Sequence, residues 1–64
     1  MNKITERRTA AEMSRSELSR RSGVPLRTLE EWEAGRRVPR DVYQLAKVAK
    51  ALGCLIEDLI VLDD

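Results

Sequence analysis

The sequence predicts an all-α fold: one compact domain of five short helices built around a helix-turn-helix unit. Three observations predict it. Strand signals are sparse, with Trp32 and Tyr43 the sole aromatic residues and no alternating β-branched run before the C-terminal end. Helix punctuation is dense: Ser14-x-x-Glu17 and Asp41-x-x-Gln44 read as capping boxes, and Gly23, Gly35 and Gly53 read as stops. Between these marks apolar residues recur three and four apart.

Each element follows in turn. Asn2 is placed to cap a first helix running to about Ala11, with Ile4 and Arg8 one turn apart. In the Ser14 box the hydroxyl takes one orphan N–H and Glu17 reaches back to another. This second helix is short and ends at Gly23, because a left-handed C′ position tolerates glycine best. Val24 and Pro25 open the third helix, where the missing proline N–H costs little. Leu29 and Trp32 share one face of it, and Gly35 closes it. Residues 36–40 form a basic loop containing Pro39. The fourth helix carries Val42, Leu45, Val48, Ala49 and Leu52 at helical spacing and stops at Gly53. A last helix holds Ile56, Leu59 and Ile60. Trp32 is expected in the core rather than as a stacking platform, Tyr43 as a half-buried flank of the fourth helix, and Cys54 as a buried, inert thiol.

The 64 residues suffice for one domain, 1–64, and show no repeat, linker or low-complexity segment. With one Cys and no His, an internal disulfide and a Cys/His zinc site are excluded. Catalysis lacks its usual parts as well. Cys54 has no His partner, and no glycine-rich phosphate loop exists, so no enzyme activity, catalytic residue, metal or cofactor is expected. There is no room for a separate ligand-sensing domain, and no small-molecule substrate is expected. A lone Cys fits a reducing compartment. No stretch of about 18 apolar residues occurs and the N-terminus has no apolar leader core, so a soluble, cytoplasmic protein without membrane contact is expected. The net charge of +1 hides an asymmetry: residues 1–40 carry ten Lys/Arg against six Asp/Glu, and residues 41–64 carry two against five. Nine of the ten early cations are Arg, the side chain whose planar fork matches phosphates and guanine edges. An ordinary solvated surface has the same composition.

The most informative unit spans about residues 14–34. Two short helices meet at a tight turn on Gly23, with Leu18 before it and Val24, Leu29 and Trp32 after it. A near-perpendicular crossing after so short a turn needs glycine in the backbone, a small side chain such as Ser19 at the closest approach, and apolar anchors on the crossing helix. Residues 13–39 resemble a lambda-repressor-like helix-turn-helix, also called Cro-type or XRE-type. Leu18, Gly23, Val24, Leu29, Trp32, Glu33, Gly35, Pro39, Leu52 and Gly53 carry the likeness at its spacings, and residues 45–53 and 56–59 resemble that family's fourth and fifth helices.

The resemblance implies a double-stranded DNA-binding transcriptional regulator whose third helix enters the major groove, acting as a homodimer on a near-palindromic operator. It implies base reading by Leu26, Arg27 and Glu31. Arg27 can donate twice to guanine, Glu31 can accept from a cytosine amino group, and Leu26 can pack on a thymine methyl. It implies backbone contacts from Arg15, Thr28 and Arg36, with Arg15 also able to reach a guanine, and the charge of the basic loop adds Arg37 and Arg40 as phosphate contacts or as an ordinary solvated surface. Arg8 and Glu33 match an internal ion pair. Leu55, Val61 and Leu62 exceed what one helical face explains; they either form part of a dimer contact or curl back onto the core.

Three departures from the family pattern bear on geometry: Glu12 where Gly is common, Pro25 in place of a Ser/Thr cap, and Leu55 where a capping hydroxyl is usual. Glu30 and Glu31 add acid to the third helix, which repels phosphate. That leaves a rival expectation, a protein-interaction module or antitoxin-like regulator in which DNA binding is secondary.

Overall fold

The computed structural model describes residues 3–60. Among these, four α-helices occur: α1 (Ile4–Ala10), α2 (Arg15–Ser22), α3 (Leu26–Glu33) and α4 (Val42–Leu52), followed by one 3-10 turn (Ile56–Asp58). The all-α expectation holds, but the fifth helix is reduced to that turn. Leu55 brings no side-chain acceptor to its start. The N–H groups of Asp58 and Leu59 instead close i→i+3 bonds onto the carbonyls of Leu55 and Ile56 at 3.0 and 2.9 Å. The Asp58 carboxylate accepts from the Leu55 N–H at 3.0 Å.

Helix boundaries follow from caps. The Ser14 hydroxyl accepts from the Glu17 N–H at 3.0 Å. The reciprocal half of that box is not made: the Glu17 carboxylate pairs with Arg21 at 2.8 Å, one turn on. Asp41 caps α4 doubly, accepting from the N–H groups of Tyr43 and Gln44 at 3.0 and 3.2 Å. Pro25 starts α3 without a side-chain acceptor. At α1 the preceding residue is Lys3, also without one; the expected Asn2 cap lies outside the described residues.

Among the described residues, the end of α1 is the one place where a residue with a side chain stands in for glycine. Glu12 has φ 56°, while Met13 N–H reaches the Arg8 carbonyl at 3.1 Å and Glu12 N–H the Thr9 carbonyl at 3.0 Å. This is the Schellman arrangement, whose left-handed position costs a non-glycine residue about 1–2 kcal/mol. At the corresponding turn after α2, Gly23 takes φ 77° without that cost.

The core consists of Ile4, Leu18, Val24, Leu29, Trp32, Leu45, Val48, Ala49 and Leu59, contributed by every α-helix, by the turn between α2 and α3 and by the residue after the 3-10 turn. Full burial of each large aliphatic side chain contributes about 1.5–3 kcal/mol. α2 packs on α3 and α4, α1 on α3, and the 3-10 turn on α4. The Lys3 N–H donates to the Leu59 carbonyl at 2.7 Å, joining the two ends of the described chain. The turn between α2 and α3 is held by two serines. Ser19 Oγ donates to the Val24 carbonyl at 2.6 Å, and the buried Ser22 Oγ accepts from the Val24 N–H at 3.2 Å.

Two apolar expectations on α4 fail. Tyr43 is 83% exposed rather than half-buried, and Val42 is exposed rather than in the core stripe. Both lie in the first turn of α4, and Tyr43 shares its exposed face with Lys47 and Lys50. Cys54 is half-buried rather than buried, packed at the margin of the core.

Candidate nucleic-acid interface

α3 is strongly two-sided. Leu29 and Trp32 anchor its inner face, while Leu26, Arg27 and Glu30 point outward and Thr28, Glu31 and Glu33 sit at the edges. The Arg27 side chain is 90% exposed. Leu26 lies just past half-burial, so its methyls are partly available. Around this face, Arg27, Thr28, Glu31, Arg36 and Arg37 line one groove together with Pro25. A second groove brings Arg15 from the start of α2 beside Arg27 and Arg36. A third joins Thr28, Arg36, Arg37 and Arg40 to the start of α4. Base-reading and backbone candidates from three separate segments thus share one surface. Leu55 does not line it; it is 64% exposed on the stretch between α4 and the 3-10 turn. Val61 and Leu62 lie outside the described residues.

The rigid part of this surface is organised by Glu33, whose side chain is 2% exposed. Arg8 donates to both of its oxygens, from Nε and Nη2, each at 3.0 Å. Thr5 Oγ1 adds a bond of 2.8 Å and Arg15 Nε one of 3.2 Å. Arg8 Nη1 in turn donates to the Met13 carbonyl at 2.8 Å. One carboxylate thereby ties α1, the α1–α2 turn, α2 and α3. Burial pushes the Glu33 carboxyl up, but the hydrogen bonds from Arg8, Thr5 and Arg15 and the charge of Arg8 outweigh it and hold the group below its ordinary value. The contacts of Thr5 and Arg15 with Glu33 have no local sequence signal, being 28 and 18 residues away.

The more exposed part is organised by Glu31. Its carboxylate pairs with Arg27 at 3.6 Å and with Arg37 at 3.5 Å. Its main-chain carbonyl accepts from the N–H groups of Arg36 and Arg37 at 3.0 and 3.4 Å, where Gly35 turns the chain out of α3. Arg36 and Arg40 are exposed and make no ion pair among the described residues. With Glu33 matched by Arg8, the surface presents Arg15, Arg27, Arg36, Arg37 and Arg40 against Glu30 and Glu31, a net attraction for a polyanion.

Among the described residues no group of three or more His, Cys, Asp or Glu gathers to hold a metal ion. No helix there is long and apolar enough to cross a membrane. A family model, the Cro/C1-type HTH DNA-binding domain, matches residues 3–64. No curated protein and no solved structure matches the chain.

Proposed function

This chain belongs to the Cro/C1-type helix-turn-helix DNA-binding domain family, and from that premise we propose that it is a transcriptional regulator acting as a homodimer on a near-palindromic operator. The observation that carries this reading is the exposed outer face of α3, with Arg27 projecting from it and arginines of α2 and the α3–α4 loop flanking it. α3 lies in the major groove. Arg27 donates two bonds to a guanine edge, Leu26 meets a thymine methyl and Glu31 accepts from a cytosine amino group, each contact discriminating by about 1–3 kcal/mol. Arg15, Thr28, Arg36, Arg37 and Arg40 bind phosphates and set the register. Arg8 and Glu33 stay internal and hold α1 against α3.

Two-fold pairing places the two copies of α3 about 34 Å apart, one turn of the duplex. The exposed Leu55, together with Val61 and Leu62 further along the chain, supplies the apolar dimer contact. A chain that sediments as a monomer at high micromolar concentration would exclude that contact.

The test of the reading is selection of random duplex DNA on the purified chain, followed by binding across a salt series. Enrichment of a symmetric site, with preference at one base pair relaxed by Arg27→Ala, is expected. Binding that ignores sequence, or no binding, would favour a protein-interaction module, a role that the outward acid Glu30 and the apolar Leu55 would suit. Phosphate-driven binding weakens steeply with salt, whereas an apolar protein contact does not.

A further inference from the structure

Glu31 and Glu33 lie two residues apart on α3, yet their carboxylates are held in different ways. Glu33 is sealed in by hydrogen bonds of 2.8 to 3.2 Å from Thr5, Arg8 and Arg15. Glu31 touches only guanidinium groups, Arg27 on its own helix and Arg37 on the following loop, at 3.5–3.6 Å, and a quarter of its side chain is exposed. Its backbone is pinned by the Arg36 and Arg37 N–H groups. The result is a fixed main chain carrying a carboxylate that can change partners.

Long, water-accessible ion pairs of this kind are weak and exchange readily. They nevertheless occupy two of the arginines best placed for DNA. A phosphate that takes Arg27 or Arg37 must displace Glu31 and then face its uncompensated charge. A base edge that offers an amino donor to Glu31 and acceptors to Arg27 meets no such opposition.

We propose that Glu31 is a selectivity residue: it withholds Arg27 and Arg37 from phosphates in the free protein and releases them when the edge of a cognate site replaces them. The proposal rests on the DNA-binding reading above. It makes Glu31 a competitor of non-specific DNA as well as a contact to specific DNA, and it makes Arg37 part of the same device although it lies outside α3.

The experiment measures binding of the wild type, Glu31→Gln and Glu30→Gln to a random-sequence duplex and to the selected site, by fluorescence anisotropy across a salt series. Glu30 carries the same charge one residue earlier and makes no ion pair among the described residues, so it reports the effect of charge removal alone. Glu31→Gln is expected to bind the random duplex roughly three- to tenfold more tightly at low salt. Its slope of log affinity against log salt should steepen by about 0.9–1.8, the equivalent of one or two further phosphates. Its preference for the selected site should fall. Glu30→Gln should change the slope by less than half as much. Thermal melting followed by circular dichroism confirms that each variant is folded. Equal behaviour of the two variants, or an unchanged slope in Glu31→Gln while the wild type binds duplex normally, would overturn the proposal and leave the DNA-binding reading standing. Absence of duplex binding by the wild type would overturn both.

Discussion

Removal of the Glu33 carboxylate should be the most damaging single change at a charged position in this chain. In Glu33→Ala, Arg8 loses both of its carboxylate bonds and keeps only the Met13 carbonyl, although its side chain is just 14% exposed. Thr5 and Arg15 each lose a partner too. Breaking a fully buried pair by removing one member costs about 3–5 kcal/mol. Arg15 is half-exposed and water can replace Glu33 there, which brings the expected loss to about 2–4 kcal/mol. A domain of this length has a total stability of about 3–10 kcal/mol, so the variant should sit near its unfolding threshold. Its melting temperature should fall by roughly 10–30 °C. Urea titration followed by Trp32 fluorescence measures the loss directly, because Trp32 is buried on the same helix. Acid provides an independent check. The folded Glu33 carboxyl lies below its ordinary value of 4.5, so the unfolded chain binds the proton more readily. The stabilisation is therefore complete above 4.5 and is lost as pH falls below it through the folded value. The gap between wild type and Glu33→Gln should narrow over that range. A loss in Glu33→Ala below about 1 kcal/mol, the size of an exposed surface pair, would refute the reasoning. So would a gap that stays constant from neutral to acidic pH.

Other positions give sharper, smaller signals. Glu12→Gly should raise stability by about 0.5–1 kcal/mol in a urea titration, because the left-handed strain removed exceeds the added flexibility of the unfolded chain. Asp41→Ala should lower it by about 1–2 kcal/mol and Ser14→Ala by about 1 kcal/mol, since Asp41 accepts two backbone N–H groups and Ser14 one. Burial pushes the Cys54 thiol up, an effect that Asp58 reinforces and Arg7 opposes. Alkylation at mildly alkaline pH should therefore be slower than for a free cysteine, and a rate equal to that of the denatured chain would contradict it.

Where structure follows from local chemistry, the sequence was enough. The Ser14 and Asp41 caps, the turn at Gly23 and the stops after α3 and α4 depend on residues within four positions of one another, and all were legible. The core followed largely from helical spacing, but Val42 at the start of the α4 stripe is exposed, and Leu52, Ile56 and Ile60 are only partly buried against the core. The last helix was legible as apolar spacing, and its missing cap at Leu55 was legible too, but neither the 3-10 turn nor the Asp58 carboxylate reaching back to the Leu55 N–H follows from spacing. The serine pair flanking Gly23 illustrates the same limit. Ser19 was expected for its small size, yet its bond to the Val24 carbonyl, and the matching bond to Ser22, depend on how sharply the chain folds there.

The two glutamates on α3 show why site roles are harder to read than folds. Glu31 and Glu33 are chemically identical, and a two-residue separation turns them about 200° apart around the helix axis. That rotation carries Glu33 toward α1 and α2, where Arg8, Thr5 and Arg15 converge from sequence-distant segments. It carries Glu31 toward Arg27, one turn away, and toward a loop that bends back after Gly35. Composition counts both as acids that oppose phosphate. In the folded chain Glu33 is compensated by Arg8 and contributes rigidity, whereas Glu31 remains exchangeable. The acidity of α3 is thus not a uniform penalty on DNA binding. Half of the Glu31/Glu33 pair has been spent internally on holding the helix in place, and the proposal above assigns the other half the task of distinguishing a base edge from a phosphate.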